Sequence, residues 1–172
     1  ASKLLFIHYY IMNKMENFTL LPSITWNMGN VVRFIMPMVL GYLTSQSCWR
    51  KVSGKRAGAT VAFRPPAYVF GIVWPLLYIM IGLSWVIAAK TRKQNTHIEV
   101  CYISISVLLA SWIFLYGCKN KKVWGVYSIA LSIGAVIMTM NVVDVESRIL
   151  LVPLITWLLL ALLLNVFEVS KT

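Results

Sequence analysis

Ala67-Tyr68-Val69-Phe70-Gly71-Ile72-Val73-Trp74-Pro75-Leu76-Leu77-Tyr78-Ile79-Met80-Ile81-Gly82-Leu83-Ser84-Trp85-Val86-Ile87-Ala88-Ala89 runs for 23 residues without a charged side chain. At about 1.5 Å of rise per residue, a helix of this length reaches roughly 34 Å, enough to cross a hydrocarbon core of about 30 Å. The run shows no polar alternation of period two and is far longer than the roughly ten residues of a barrel strand. In lipid the backbone must satisfy its own hydrogen bonds, and a long apolar run does so as a helix.

Three further runs lack Asp, Glu, Lys, Arg and His: Val100 to Cys118, Val123 to Val143, and Ile149 to Phe167. A fifth, Phe34 to Trp49, is shorter and contains Pro37. It reaches spanning length only by starting near Met28 and taking in Arg33, whose long side chain can snorkel to the interface. The predicted spans are about 30–49, 67–89, 99–118, 123–143 and 149–168. Short charged links, Lys119 to Lys122 and Asp144 to Arg148, force neighbouring helices to run antiparallel. Arg64-Pro65-Pro66 precedes the 67–89 run, where proline suits the first turn of a helix. The sequence therefore predicts an all-α membrane protein, a bundle of five transmembrane helices over residues 28–168, with 169–172 as a C-terminal tail. Leu4 to Met12 after Lys3 resembles the apolar core of a signal segment, but no small-x-small cleavage site follows. Residues 1–27 read either as a tail or as a targeting segment.

Composition agrees. Hydrophobic residues make up 59% of the 172 and charged residues 12%, against about 25% charged in a soluble domain. The net charge is +11, from 16 Lys and Arg against 5 Asp and Glu. Because the basic residues sit between apolar runs, they suit anionic headgroups rather than nucleic acid. Arg50, Lys51, Lys55, Arg56, Arg64, Lys119, Lys121, Lys122 and Lys171 fall on one side of the bundle, and Lys3, Lys14, Arg33, Lys90, Arg92, Lys93 and Arg148 on the other. That excess places the C-terminus on the cytosolic side. Cys48, Cys101 and Cys118 have no ligand-type spacing, and their odd number argues against a disulfide framework and a zinc site. His8 and His97 stand far apart, so no metal site is expected. No catalytic constellation is visible, and the spans lack the intramembrane carboxylate or histidine typical of proton-coupled transport.

Seven tryptophans remain to be placed. Trp49, Trp85 and Trp124 lie near span ends, as an interfacial aromatic belt requires. Trp157 does not: it follows Arg148 by nine positions, roughly 13 Å along a helix. Trp74 is also well inside its span. Trp74, Tyr78 and Trp85 share one helix face, as do Trp157, Ala161, Leu164, Asn165 and Glu168 on the last helix. Ser128, Ser132 and Ala135 form a small-residue face on the fourth. Converging faces of this kind enclose an aromatic-lined cavity for a flat apolar ligand. The same spacing equally fits tight packing, as Gly41-x-x-x-Ser45 does in the first helix.

Phe63-Arg64-Pro65-Pro66-Ala67-Tyr68-Val69-Phe70-Gly71-Ile72-Val73-Trp74-Pro75-Leu76-Leu77-Tyr78 resembles the W-x-P-P-x-W-V-F-G-x-V-W-x-x-L-Y segment of the translocator protein family, also called tryptophan-rich sensory protein or peripheral-type benzodiazepine receptor. Leu151 to Leu158, with Ala161, Leu164 and Asn165, is similar to that family's fifth-helix pattern. The likeness extends from about Met28 to Phe167. Departures are Phe63 for a Trp, Ser111-Trp112-Ile113-Phe114 for Asn-Trp-x-Trp, Ser128 for an acidic residue, and Phe167 where a sterol-recognition pattern needs Tyr. The resemblance implies a five-helix bundle, often a homodimer, with a cavity beneath the first–second loop. It implies porphyrin, haem or benzodiazepine-type ligands, Trp74 and Trp157 as flat walls for a tetrapyrrole, and Tyr78, Trp124, Ala161 and Leu164 as lining. The tetrapyrrole is then a ligand, and no cofactor is required. Some relatives degrade porphyrin, so a porphyrin-degrading enzyme and a transporter of porphyrin or sterol-type lipids are the alternatives to a binding protein. In a eukaryote the resemblance points to a mitochondrial or other organelle membrane.

Overall fold

The computed structural model describes residues 24–52, 61–91 and 96–170, without the side chains of 47–52 and 91. Expectations for residues 1–23 and for the Trp49 side chain fall outside this description. Five helices follow in order: α1 (Met28–Val52), α2 (Ala67–Thr91), α3 (Thr96–Trp112, continued as the π-helical turns Ile113–Cys118), α4 (Lys122–Val142) and α5 (Val145–Val169). No strand occurs among the described residues. Four helices are long and apolar enough to cross a membrane: Ala67–Lys90, Thr96–Cys118, Lys122–Val142 and Val145–Val169.

Helix ends follow local chemistry. The Asn27 carboxamide oxygen accepts the Asn30 N–H at 2.8 Å and so caps α1. Asn120, with φ of 53°, reverses the chain between α3 and α4, a conformation asparagine tolerates better than most residues. Proline lies within α1, α2 and α5 (Pro37, Pro75 and Pro153) without ending any of them. The predicted Asp144–Arg148 link is shorter than expected. Asp144 takes the extended N-cap position and Val145 opens α5, because acidic residues favour a helix N-terminus. The double proline stands one step ahead of α2 rather than inside it.

Around the bundle the helices are ordered α1–α2–α5–α4–α3, with α3 closing back onto α1. Odd- and even-numbered helices run in opposite directions, as the close approaches of Gly82 to Phe34 and of Gly41 to Tyr78 show for the first pair. Ser128 on α4 donates to the Leu108 carbonyl of α3 at 3.0 Å, and Ser132 is fully buried. The Ser128–Ser132 face is therefore a packing seam against α3.

One end of the bundle is fastened by Glu99. Its carboxylate accepts from Arg33 Nε at 2.9 Å and Arg33 Nη2 at 2.8 Å, and from the Trp85 indole N–H at 2.9 Å. Arg33 thus pairs inward instead of snorkelling outward. Trp85, expected in the interfacial belt, is 2% exposed and stacks on Tyr102 with the rings within 6° of parallel. Ser84 Oγ donates to the Ser147 carbonyl at 2.8 Å, so Tyr102 supplies the proton of its 2.5 Å contact with Ser84. Burial without such partners would cost more than the bonds themselves return. Cys101 is free and Cys118 is disulfide-bonded, contrary to the expectation from the cysteine count.

A Cβ at Gly82 would collide with the Phe34 carbonyl, whereas one at Gly71 would meet nothing within 4 Å. Gly82→Ala should therefore push α1 off α2 and cost about 1–3 kcal/mol, while Gly71→Ala should be neutral. Thermal unfolding of both variants in detergent checks the contrast; equal midpoints would contradict the packing described.

Candidate aromatic binding site

In the half of the bundle holding the α3–α4 turn and the C-terminal end of α5, aromatic side chains from three helices meet. Trp74 on α2 stacks on Trp112 of α3, with centroids 5.5 Å apart, and meets Trp157 of α5 edge-to-face at 6.4 Å. Phe70, one turn before Trp74, packs edge-on against Trp157 at 5.4 Å. Trp112 stacks in turn on Tyr116 at 5.6 Å. Edge-to-face and offset stacking let the positive ring edge meet a negative face. Phe70, Trp74 and Trp157 are half-buried, and Trp112 and Tyr116 are buried.

Beneath the rings lies a polar floor. The Trp112 N–H reaches the Asn165 carboxamide oxygen at 3.5 Å, and Asn165 Nδ2 donates to the Ala161 carbonyl at 2.7 Å. The Tyr116 hydroxyl donates to Glu168, whose other oxygen lies 3.4 Å from the Lys122 ammonium. Glu168 is 3% exposed; a carboxylate so deeply placed needs such donors. Gly125 leaves room for this arrangement, since a Cβ there would press on Tyr116 at 3.0 Å.

Among the described residues, two buried polar atoms near the rings find no partner: Trp157 Nε1 and the Tyr78 hydroxyl. Native interiors rarely leave such donors unsatisfied. The Tyr78 ring lies against Gly41 of α1, so its hydroxyl belongs to the α1–α2 seam. Trp157 Nε1 belongs to the cluster itself.

Of the residues singled out from sequence, Trp74, Tyr78 and Trp157 come together, Trp74 and Tyr78 with ring centroids at 5.9 Å. Ala161 and Leu164 are buried in the core. Trp124 stands apart, 59% exposed in the first turn of α4 and in ring contact with Tyr127. Phe70, Trp112, Tyr116 and Glu168 join the cluster without having been singled out as binding residues. No group of three or more His, Cys, Asp or Glu able to hold a metal occurs among the described residues.

Glu168→Gln and Tyr116→Phe should each lower stability by about 1–3 kcal/mol, by removing a buried partner. Combined they should cost less than their sum, with a coupling above about 0.5 kcal/mol. A double-mutant cycle on detergent unfolding measures this, and strict additivity would show the two side chains to be uncoupled.

Comparison with known proteins meets this architecture from outside. Residues 33–168 match the TspO/MBR family. The tryptophan-rich protein TspO of Archaeoglobus fulgidus is similar, 35% identical over 107 residues that cover 60% of this chain and 69% of that relative. The matched region takes in α2 to α5 nearly whole, and with them every ring of the cluster. The chain belongs to the TspO/MBR family.

Proposed function

We propose that this chain is a five-span membrane protein that binds a flat apolar molecule, a tetrapyrrole such as porphyrin or haem, against Phe70, Trp74 and Trp157. The reading of α1 as a fifth span rests on length and charge. Its 25 residues reach roughly 37 Å as a helix. Arg33, its charge nearest the apolar stretch, is neutralised by Glu99.

The observation that carries the ligand reading is Trp157. Its indole is half-buried, its N–H is fully buried, and no group among the described residues accepts from it. A ligand that parts the Trp157 ring from its neighbours and lies on the faces of Phe70, Trp74 and Trp157 would uncover that N–H and accept from it through a carboxylate or ring nitrogen. It would also gain stacking area from rings whose orientation is already set by Trp112 and Phe70. Family membership supports a binding or sensory role in the membrane.

Protoporphyrin titrated into the detergent-solubilised chain should quench tryptophan fluorescence saturably. Trp157→Phe keeps a ring but loses the N–H and should weaken binding about fivefold or more, the value of roughly 1 kcal/mol. Trp74→Phe should weaken binding similarly through lost stacking area, while Trp124→Phe should bind as the parent does. Equal affinity in all four proteins would remove the site.

A further inference from the structure

A groove of about 410 Å³ runs between α1 and α3, lined by Leu40, Thr44, Val107, Ala110, Phe114 and Leu115, with Ser111 between them. It lies on the outside of the bundle, away from the ring cluster. Both hydroxyls in it are already committed: Thr44 donates to the Leu40 carbonyl at 2.7 Å and Ser111 to the Val107 carbonyl at 2.8 Å. The lining therefore offers no free side-chain donor, which suits a hydrocarbon chain better than a polar ligand or peptide.

One end of the groove is different. Phe114 and Leu115 lie in the π-helical turns that finish α3, a local widening often found at binding sites. The Lys119 ammonium sits over the Phe114 ring, 5.4 Å from its centroid. Lys119 and Lys121 are exposed, whereas Lys122 is held by Glu168. The groove is thus apolar along its length with cationic charge at its mouth, in a chain of net charge +11.

We propose that this groove is a binding site for a single anionic phospholipid, with an acyl chain along Leu40, Val107 and Ala110 and its phosphate at Lys119. Charge complementarity selects the headgroup, and the committed hydroxyls select the chain. The cation–π contact holds the ammonium above the groove instead of leaving it free in the headgroup layer.

Native mass spectrometry of the full chain, released from detergent containing equal phosphatidylglycerol and phosphatidylcholine, tests the site. Phosphatidylglycerol should be retained about fivefold over phosphatidylcholine, the effect of one cation near a lipid headgroup. Lys119→Glu, an exposed change that leaves the bundle intact, should abolish the preference while some lipid of either kind stays bound. Val107→Trp, which fills the groove from its exposed rim, should remove the bound lipid of both kinds. Glycerol phosphate in excess should not compete, because it has no chain to bury. Equal retention of the two lipids by the parent chain, a preference that survives Lys119→Glu, or a dimer that Val107→Trp dissociates in place of lipid loss would each overturn the proposal. None of these readouts depends on a ligand at Trp157.

Discussion

The carboxylate of Glu99 is the contact on which this bundle depends. It receives two N–H groups from Arg33 on α1 and one from Trp85 on α2, so a single side chain at the start of α3 fixes three helices. An unpaired arginine or carboxylate in an apolar environment costs several kcal/mol, whereas a pair with a full set of donors is tolerated. Without Glu99, α1 would carry an unneutralised charge and have little reason to pack. With it, α1 lies along α2 closely enough that the Phe34 backbone touches Gly82 and the Tyr78 ring covers Gly41. Small residues at these two points let the backbones approach, as helix association in lipid requires.

The opposite end repeats the solution with different residues. Glu168 joins α5 to α4 through Lys122 and to the end of α3 through Tyr116. The charged pairs are therefore confined to the two ends, and the length between is left to aliphatic and aromatic packing and to serines bonded to backbone carbonyls. In such a partition an unsatisfied donor in the middle stands out. With the Tyr78 hydroxyl, the Trp157 N–H is such a donor, and it lies beside rings that are only half covered.

The four apolar runs were legible because lipid imposes a signal that one dimension can hold: length without charge. Helix ends were less so. The span expected from 99 opens at Thr96 and the one expected from 149 opens at Val145, which puts Glu146 in the first turn of α5, where the helix dipole favours acids. The facing of Trp74 and Trp157 followed from helical periodicity together with the family motifs. Trp85 was misplaced because the group that draws it inward, Glu99, belongs to another helix, and periodicity within one helix carries no information about the next. Trp124 illustrates the converse: the resemblance implies it as lining, yet it stands exposed near the start of α4, where its place at a span end suits an interfacial belt.

Trp112 and Tyr116 were missed for a related reason. They continue the buried stripe Ile98, Tyr102, Ile105 and Leu109 at helical spacing, but the groups that make them part of the cluster, Trp74 and Glu168, stand on other helices. The Lys119 N–H bonds back to the Phe114 carbonyl, five residues away, and the Lys121 N–H to the Leu115 carbonyl. The winding is looser past 113, yet Tyr116, four residues after Trp112, keeps to the same buried face and stacks on it. Tyr116 turns in to meet Glu168, while Phe114 turns out beneath Lys119. The end of α3 therefore contributes one residue to the polar clamp inside the bundle and another to the mouth of the groove outside it.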